Sequence, residues 1–297
     1  MLYLAGDPVP HAAESVAAAR ATGLRAAYVT NNASRRPAVV AAHLTELGIP
    51  ADPHDVVTSA QAAARWLGEH LPQDSAVLVI GTEGLADEVA ALGLRPVRRA
   101  DDQPVAVVQG LAPDTGWADL AEATVALRAG ALWVAANTDS TYPSPRGPLP
   151  GNGALVAALA TASGQQPVVV GKPEPALHRE SVERVGATRP LVVGDRLDTD
   201  VLGAVRGGSD SLLVLTGVVD RDELLAAPAG MRPTYVSHDL RGLLVPHLPV
   251  EVADGVARCG GARASWAGDE LVVTGEGDDA LRAACALSWA GADARAE

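Results

Sequence analysis

The run PLVVGDRLDTD sets Asp195, Asp198 and Asp200 in one short loop after an apolar stretch. Carboxylates gathered at the end of a buried strand suit a hard cation such as Mg²⁺, which takes one or two of them together with water and phosphate oxygens. A second run, AYVTNNASRR, ends in Thr30, Asn31 and Asn32. It offers a hydroxyl and backbone N–H groups beside a helix start, which together can cradle a phosphate. A third, VVVGKPEPALH, puts Lys172 after an apolar stretch and before a proline able to open a helix. Its ammonium then stands at a strand end as a point charge for phosphate. Taken singly, each run also has a plainer reading: a solvated acidic turn, an Asn/Thr turn, a surface lysine.

These residues need strand ends to hold them. Short apolar runs alternate with alanine-rich amphipathic stretches: LRAAYVTNN then PAVVAAHLTELG, AVLVIGTE then LADEVAALGL, VAVVQGL then WADLAEATVALRAG, PLVVGD then VLGAVRGG. That alternation predicts an α/β fold with largely parallel sheets, whose ligands gather at the carboxyl ends of the strands. Ser34 is expected to cap a helix that Gly48 ends, and Gly93 and Gly130 to close two others. From about Val250 the chain reads strand, turn, strand (ARASWAGDELVVTG) and then helix (DALRAACALSWAG).

Composition narrows the function classes. The formal net charge is −13 over 297 residues and no basic run exceeds an arginine pair, so nucleic acid is not an expected partner. No apolar run approaches the roughly 18 residues needed to span a bilayer, and the start lacks a basic leader, so no membrane partner is expected either. Two cysteines close to the C-terminus, Cys259 and Cys285, fit a reducing compartment, and a cytoplasmic location is the expectation. The seven histidines are scattered without zinc-helix spacing, and no Ser or Cys sits in a nucleophile context. No G-x-G-x-x-G follows a first strand, which leaves a dinucleotide-binding protein far behind. Lys172 is the single lysine; arginine supplies every other fixed positive side-chain charge.

In order, VTNN, a long α/β insertion, GKP and VGDRLDTD resemble the haloacid dehalogenase (HAD) phosphatase superfamily. The resemblance covers about residues 1–245 and is strongest to its NagD-like branch with a large α/β cap, the bacterial glycerol-3-phosphate phosphatases above all. It implies a Rossmann-like HAD core (1–73 and 169–245), an inserted cap (74–168) and a short C-terminal β-β-α extension (246–297). It also implies roles. Thr30 would bind the transferring phosphoryl group through its hydroxyl, Asn31 would lie beside it through its backbone, and Asn32 would border the substrate. Lys172 would neutralise nucleophile and phosphate. Asp195 would ligate Mg²⁺, with Asp200 as its supporting carboxylate. In the cap, NTDSTYPSPRGPLPGNG resembles a substrate-facing loop, which makes Asn137, Asp139 and Tyr142 candidates for specificity; the same stretch also reads as a Pro/Gly-rich structural loop.

One family element has no counterpart here. Such enzymes open with a strand ending Asp-x-Asp-Gly, whose first Asp attacks phosphorus to form an aspartyl-phosphate and whose second acts as general acid and base. No Asp-x-Asp-Gly occurs in this sequence, and MLYLAGDPVP aligns with the residues that follow it, Met1 falling on a family valine. The expectation is an internal GTG codon, encoding valine, read as the start, with at least roughly ten more residues, both catalytic aspartates among them, ahead of it. The chain as written is then expected to be inactive. The leading reading is a Mg²⁺-dependent phosphatase of small phosphate monoesters, glycerol 3-phosphate first and 2-phosphoglycolate second, with a homodimer as the open question of assembly. The alternative is a catalytically inactive protein that binds a phosphate ligand or a partner.

Overall fold

A computed structural model describes residues 1–4, 6–144 and 146–296. Ala5 and Pro145, which fall within two of the stretches quoted above, and Glu297 lie outside the described residues. The chain divides into two compact units, residues 26–187 and residues 1–25 with 188–297.

The 26–187 unit is built on a five-stranded, wholly parallel sheet in the order Val168–Val169, Leu132–Ala135, Ala106–Gln109, Ala76–Ile80, Arg95–Val97. Successive side chains of a strand face opposite sides of the sheet, and the sequence uses both. Val77 and Val79 join Leu67, Leu85 and Val89, from helices Ser59–His70 and Glu83–Ala91, on one face. Ala76, Leu78 and Ile80 join Leu127 and Leu159, from helices Trp117–Arg128 and Asn152–Ser163, on the other. Being covered twice, Ala76–Ile80 and Ala106–Gln109 are buried at every position, which is why they read as unbroken apolar runs.

The same unit holds a two-stranded parallel pair, Tyr28–Thr30 with Val56–Thr58. Its Val57 and the helix residue Leu177 continue the first of those apolar layers. The helix after Thr30 spans Pro37–Glu46, and Gly48 follows it with φ +81°. Ser34 is not its cap. Its N–H and hydroxyl both donate to the Asn32 carboxamide oxygen (2.8 and 2.9 Å), and the helix begins at Pro37, whose ring fixes φ and whose missing N–H is no loss at that position. Gly93 and Gly130, at φ +77° and +100°, do close their helices. The valines before Lys172 pair with Leu132–Ala135 rather than with Tyr28–Thr30, and the helix after Lys172 opens at Pro175, not Pro173.

The other unit carries a three-stranded parallel sheet in the order Leu191–Gly194, Asp210–Val214, Tyr235–Ser237. Among the described residues, Leu191–Gly194 and, in its own unit, Tyr28–Thr30 each have a hydrogen-bonded neighbour on one side only. Leu191 is 41% exposed and Val192 and Val193 half-buried, whereas the adjacent Leu212, Leu213 and Val214 are sealed.

Residues 251–274 form an antiparallel meander of four strands, Glu251–Ala253, Val256–Cys259, Ala262–Ala267 and Glu270–Thr274, followed by helix Gly277–Ala296. Two strands were expected and four are found. The extra hairpin turns on Asp254-Gly255, both at positive φ (51° and 70°), as the tight two-residue turn of a hairpin demands. One side of the helix lays Ala283 and Leu287 on that meander. Another sends Leu281 and Cys285 into a core with Leu197, Val201, Leu213, Leu224 and Val236. Polar bonds reinforce the join: Arg282 Nε donates to the Val236 carbonyl (3.3 Å) and Trp289 Nε1 to that of Leu224 (3.1 Å). Asp278 accepts from the Ser237 hydroxyl and the His238 N–H; burial pushes its carboxyl up, but these bonds outweigh it and hold the group below the usual range. Cys259 and Cys285 are free thiols, and burial pushes that of Cys285 up to about 12. Among the described residues no helix is long and apolar enough to cross a membrane.

Candidate functional site

Within the 26–187 unit the strand Tyr28–Thr30 ends in a turn shaped by its own side chains. The Thr30 hydroxyl oxygen accepts from the Asn32 N–H (3.1 Å), and the Asn32 carboxamide oxygen gathers the N–H groups of Ser34 and Arg35 (2.8 and 3.1 Å). Thr30 and Asn32 are half-buried and Asn31 is buried. Asn31 is engaged on every side: its Nδ2 donates to Asp139 Oδ1 and to the Lys172 carbonyl (both 3.1 Å), and its Oδ1 accepts from the Lys172 N–H at 2.7 Å. The Asn31 carbonyl accepts from Ser59 Oγ (2.5 Å) and Asn137 Nδ2 (2.6 Å). Asn137 in turn accepts from Asn152 Nδ2 through its carbonyl (2.6 Å) and from the Asp139 N–H through its side chain (3.2 Å).

The structure therefore brings Asn31, Asn137, Asp139 and the Lys172 turn into one hydrogen-bonded knot. Tyr142, 36% exposed, lies on the hairpin Thr141–Ser144 with Gly147–Pro150, opposite Leu149. Ser59 and Asn152 were missed in the sequence; Asn152 sits between glycines at the start of a helix, where an Asn reads as a turn residue. The knot also explains Gly171, where a Cβ would lie 2.4 Å from the Ala136 carbonyl oxygen and 2.8 Å from Asn31 Oδ1. Gly171→Ala is expected to push the turn off Asn31 and destabilise the unit by about 1–3 kcal/mol. Thermal unfolding followed by circular dichroism checks this, and an unchanged midpoint would mean that the turn yields freely.

Asp195 and Asp200 belong to the other unit. Asp195 follows the strand Leu191–Gly194, half-buried, with its Oδ2 3.2 Å from the Met1 ammonium. Asp200 Oδ2 accepts the N–H groups of Asp195 and Arg196 (both 3.2 Å) from a turn of π-helix, Leu197–Val201, and so braces the loop that presents Asp195. Asp198 points away: it is exposed and forked onto Arg196 Nε and Nη2 (2.9 and 2.6 Å). No group of three or more His, Cys, Asp or Glu side chains placed to hold a metal occurs among the described residues. The Asp195 carboxylate already faces a positive charge, and its chemistry suits Mg²⁺, which keeps several waters and takes one or two carboxylates.

Comparison with known proteins gives a consistent picture. Residues 1–95 match the family model described as haloacid dehalogenase-like hydrolase, and residues 169–243 match a HAD-hydrolase-like model. A D-glycerol 3-phosphate phosphatase of Mycobacterium tuberculosis is 56% identical over 242 residues, 82% of this chain and 68% of that protein. An acid sugar phosphatase of Staphylococcus saprophyticus is 34% identical over 245 residues, 82% of this chain and 93% of its own. Among solved structures, a glycerol phosphate phosphatase of M. tuberculosis in complex with magnesium superposes with a TM-score of 0.85 at 48% identity, covering 99% of this chain and 88% of that one. A p-nitrophenyl phosphatase from Archaeoglobus fulgidus does so at 0.74 and 30% identity, over 80% of this chain and 92% of its own.

Proposed function

Because this chain belongs to the haloacid dehalogenase-like hydrolases, we propose that it carries the phosphate- and Mg²⁺-binding shell of a cytoplasmic phosphatase for small phosphate monoesters, glycerol 3-phosphate before 2-phosphoglycolate. The observation that carries this reading is the bonding of the Lys172 main chain to the Thr30–Asn32 turn through Asn31. It sets the one lysine against the turn with the hydroxyl and N–H groups that suit a phosphate. Relatives named for glycerol 3-phosphate, sugar and p-nitrophenyl phosphate chemistry support the substrate class.

In this reading the Thr30 hydroxyl and the Asn31 N–H hold phosphoryl oxygens, and the Lys172 ammonium neutralises charge that grows on them in the transition state. Asn32 borders the substrate. Asn137, Asp139 and Tyr142, in the 74–168 segment that we take as the cap, face the alcohol it carries. Asp195 is the Mg²⁺ ligand and Asp200 keeps its loop in place. Mg²⁺, when bound, supplies a Lewis acid. The attacking and proton-transferring carboxylates belong, in this reading, to an Asp-x-Asp-Gly motif, which this sequence does not contain. The chain as written then binds its ligand without turning it over.

Calorimetric titration of the chain with Mg²⁺ tests the shell directly. Asp195→Asn is expected to weaken Mg²⁺ binding at least tenfold, the scale on which altering metal-site groups is felt, while Asp198→Asn leaves it unchanged. Equal binding by wild type and Asp195→Asn would remove Asp195 from the site.

A further inference from the structure

We infer that Asn31 is a positioning residue for Lys172, and that Asn31, Asn137 and Asn152 form a buried relay of amides that fixes the lysine turn against the loop bearing Asp139; what the lysine does there rests on the function proposed above. The three amides come from distant parts of the chain and are 9%, 4% and 1% exposed. Both amino hydrogens of Asn31 are committed, one to Asp139 and one to the Lys172 carbonyl, and its oxygen takes the Lys172 N–H. A single side chain thus satisfies both main-chain groups of Lys172, as a neighbouring strand would.

Only a neutral amide of this length fits those partners. Aspartate at 31 could still accept the Lys172 N–H, but it could donate to neither the Lys172 carbonyl nor the Asp139 carboxylate, and it would set like charges about 3 Å apart, the distance of the bond it replaces. Alanine would remove the side-chain bonds that Asn31 makes to the N–H and C=O of Lys172. The relay continues outward: Asn137 ties the Asn31 carbonyl to the 136–139 segment, and Asn152 ties Asn137 to the first turn of a helix. Among the described residues the Asn152 carboxamide oxygen, itself buried, has no hydrogen-bond partner, so the bond that Asn152 makes here is the one its amide N–H donates to Asn137. A lysine on a flexible four-carbon stem gains little direction from its own side chain; direction has to come from a main chain held on both sides.

Because Lys172 is the only lysine, an amine-acylating reagent reads it alone once the α-amino group is separated by peptide mass. The experiment follows acylation of Lys172 in the full chain as a function of pH, with and without inorganic phosphate, for wild type, Asn31→Asp, Asn31→Ala and Asn137→Ala. Leu127→Ala, a cavity in the apolar layer on the far face of the sheet, is the control for lost stability alone. The expected result is a several-fold faster reaction and a displaced pH profile in the Asn31 variants and, to a smaller degree, in Asn137→Ala, with the Leu127→Ala profile unmoved. Should the Asn31 variants not fold, Asn137→Ala carries the same expectation. Profiles that superimpose on wild type would overturn the inference, as would a Leu127→Ala profile displaced as far as the others. Phosphate decides the other question: if it fails to protect Lys172 in the wild type, the phosphate reading falls, whatever the variants show about positioning.

Discussion

Lys172→Ala is expected to lower turnover of glycerol 3-phosphate by about 10²–10³-fold in a chain extended upstream with an Asp-x-Asp-Gly strand, the loss typical of deleting one preorganised charge-stabilising group. The ammonium acts on charge that develops during phosphoryl transfer, so most of the loss falls in kcat rather than KM. The fold is expected to survive, because Asn31 holds the backbone of residue 172 and not its amine. Lys172→Arg is expected to rescue little, since a planar fork does not replace a compact point charge on the same stem. Phosphate release at saturating substrate measures this, and unchanged turnover would take Lys172 out of the site.

The second large effect concerns the C-terminal extension. Leu281 is 4% exposed and packs among Leu197, Leu213, Leu224 and Val236, so the extension helix completes the core of the three-stranded sheet unit. Leu281→Ala is expected to cost about 2–5 kcal/mol, as for other fully buried leucines. For a unit of this size that lowers the unfolding midpoint on the order of 10 °C. Val272→Ala, on the exposed side of the meander, should move it by a degree or two at most. Scanning calorimetry separates the two; a Leu281→Ala midpoint within 2 °C of wild type would mean that the extension only decorates the unit.

Much of this architecture was legible because parallel strands covered on both faces are unbroken apolar runs. AVLVI and AVVQ could scarcely be anything else, and the helices between them end where Gly93 and Gly130 allow. Local chemistry misled where a neighbour could do the same work: Ser34 resembles a cap, but Asn32 claims its hydrogens and Pro37 sets the helix start. The first hairpin of the extension escaped because EVA and VARC are too short for an alternating pattern to emerge, although Asp254-Gly255 carries the turn signal. In the candidate site, residue types singled out the Thr30–Asn32 turn, Lys172 and the acidic loop, each from a handful of adjacent residues. They did not foretell that the Asn31 side chain spends itself on Lys172 and Asp139, or that Asn152 supports Asn137, because those bonds join segments more than a hundred, or at least fifteen, residues apart. Long-range side-chain pairing has no periodicity to betray it.

The most direct test compares Mg²⁺-dependent phosphate release from glycerol 3-phosphate and 2-phosphoglycolate by two chains, the one described here and the same chain preceded by an Asp-x-Asp-Gly strand. The account predicts no release from the first and release from the second, with glycerol 3-phosphate the better substrate. A folded, extended chain that releases phosphate from neither would contradict it and favour a protein that binds a phosphate ligand without catalysis.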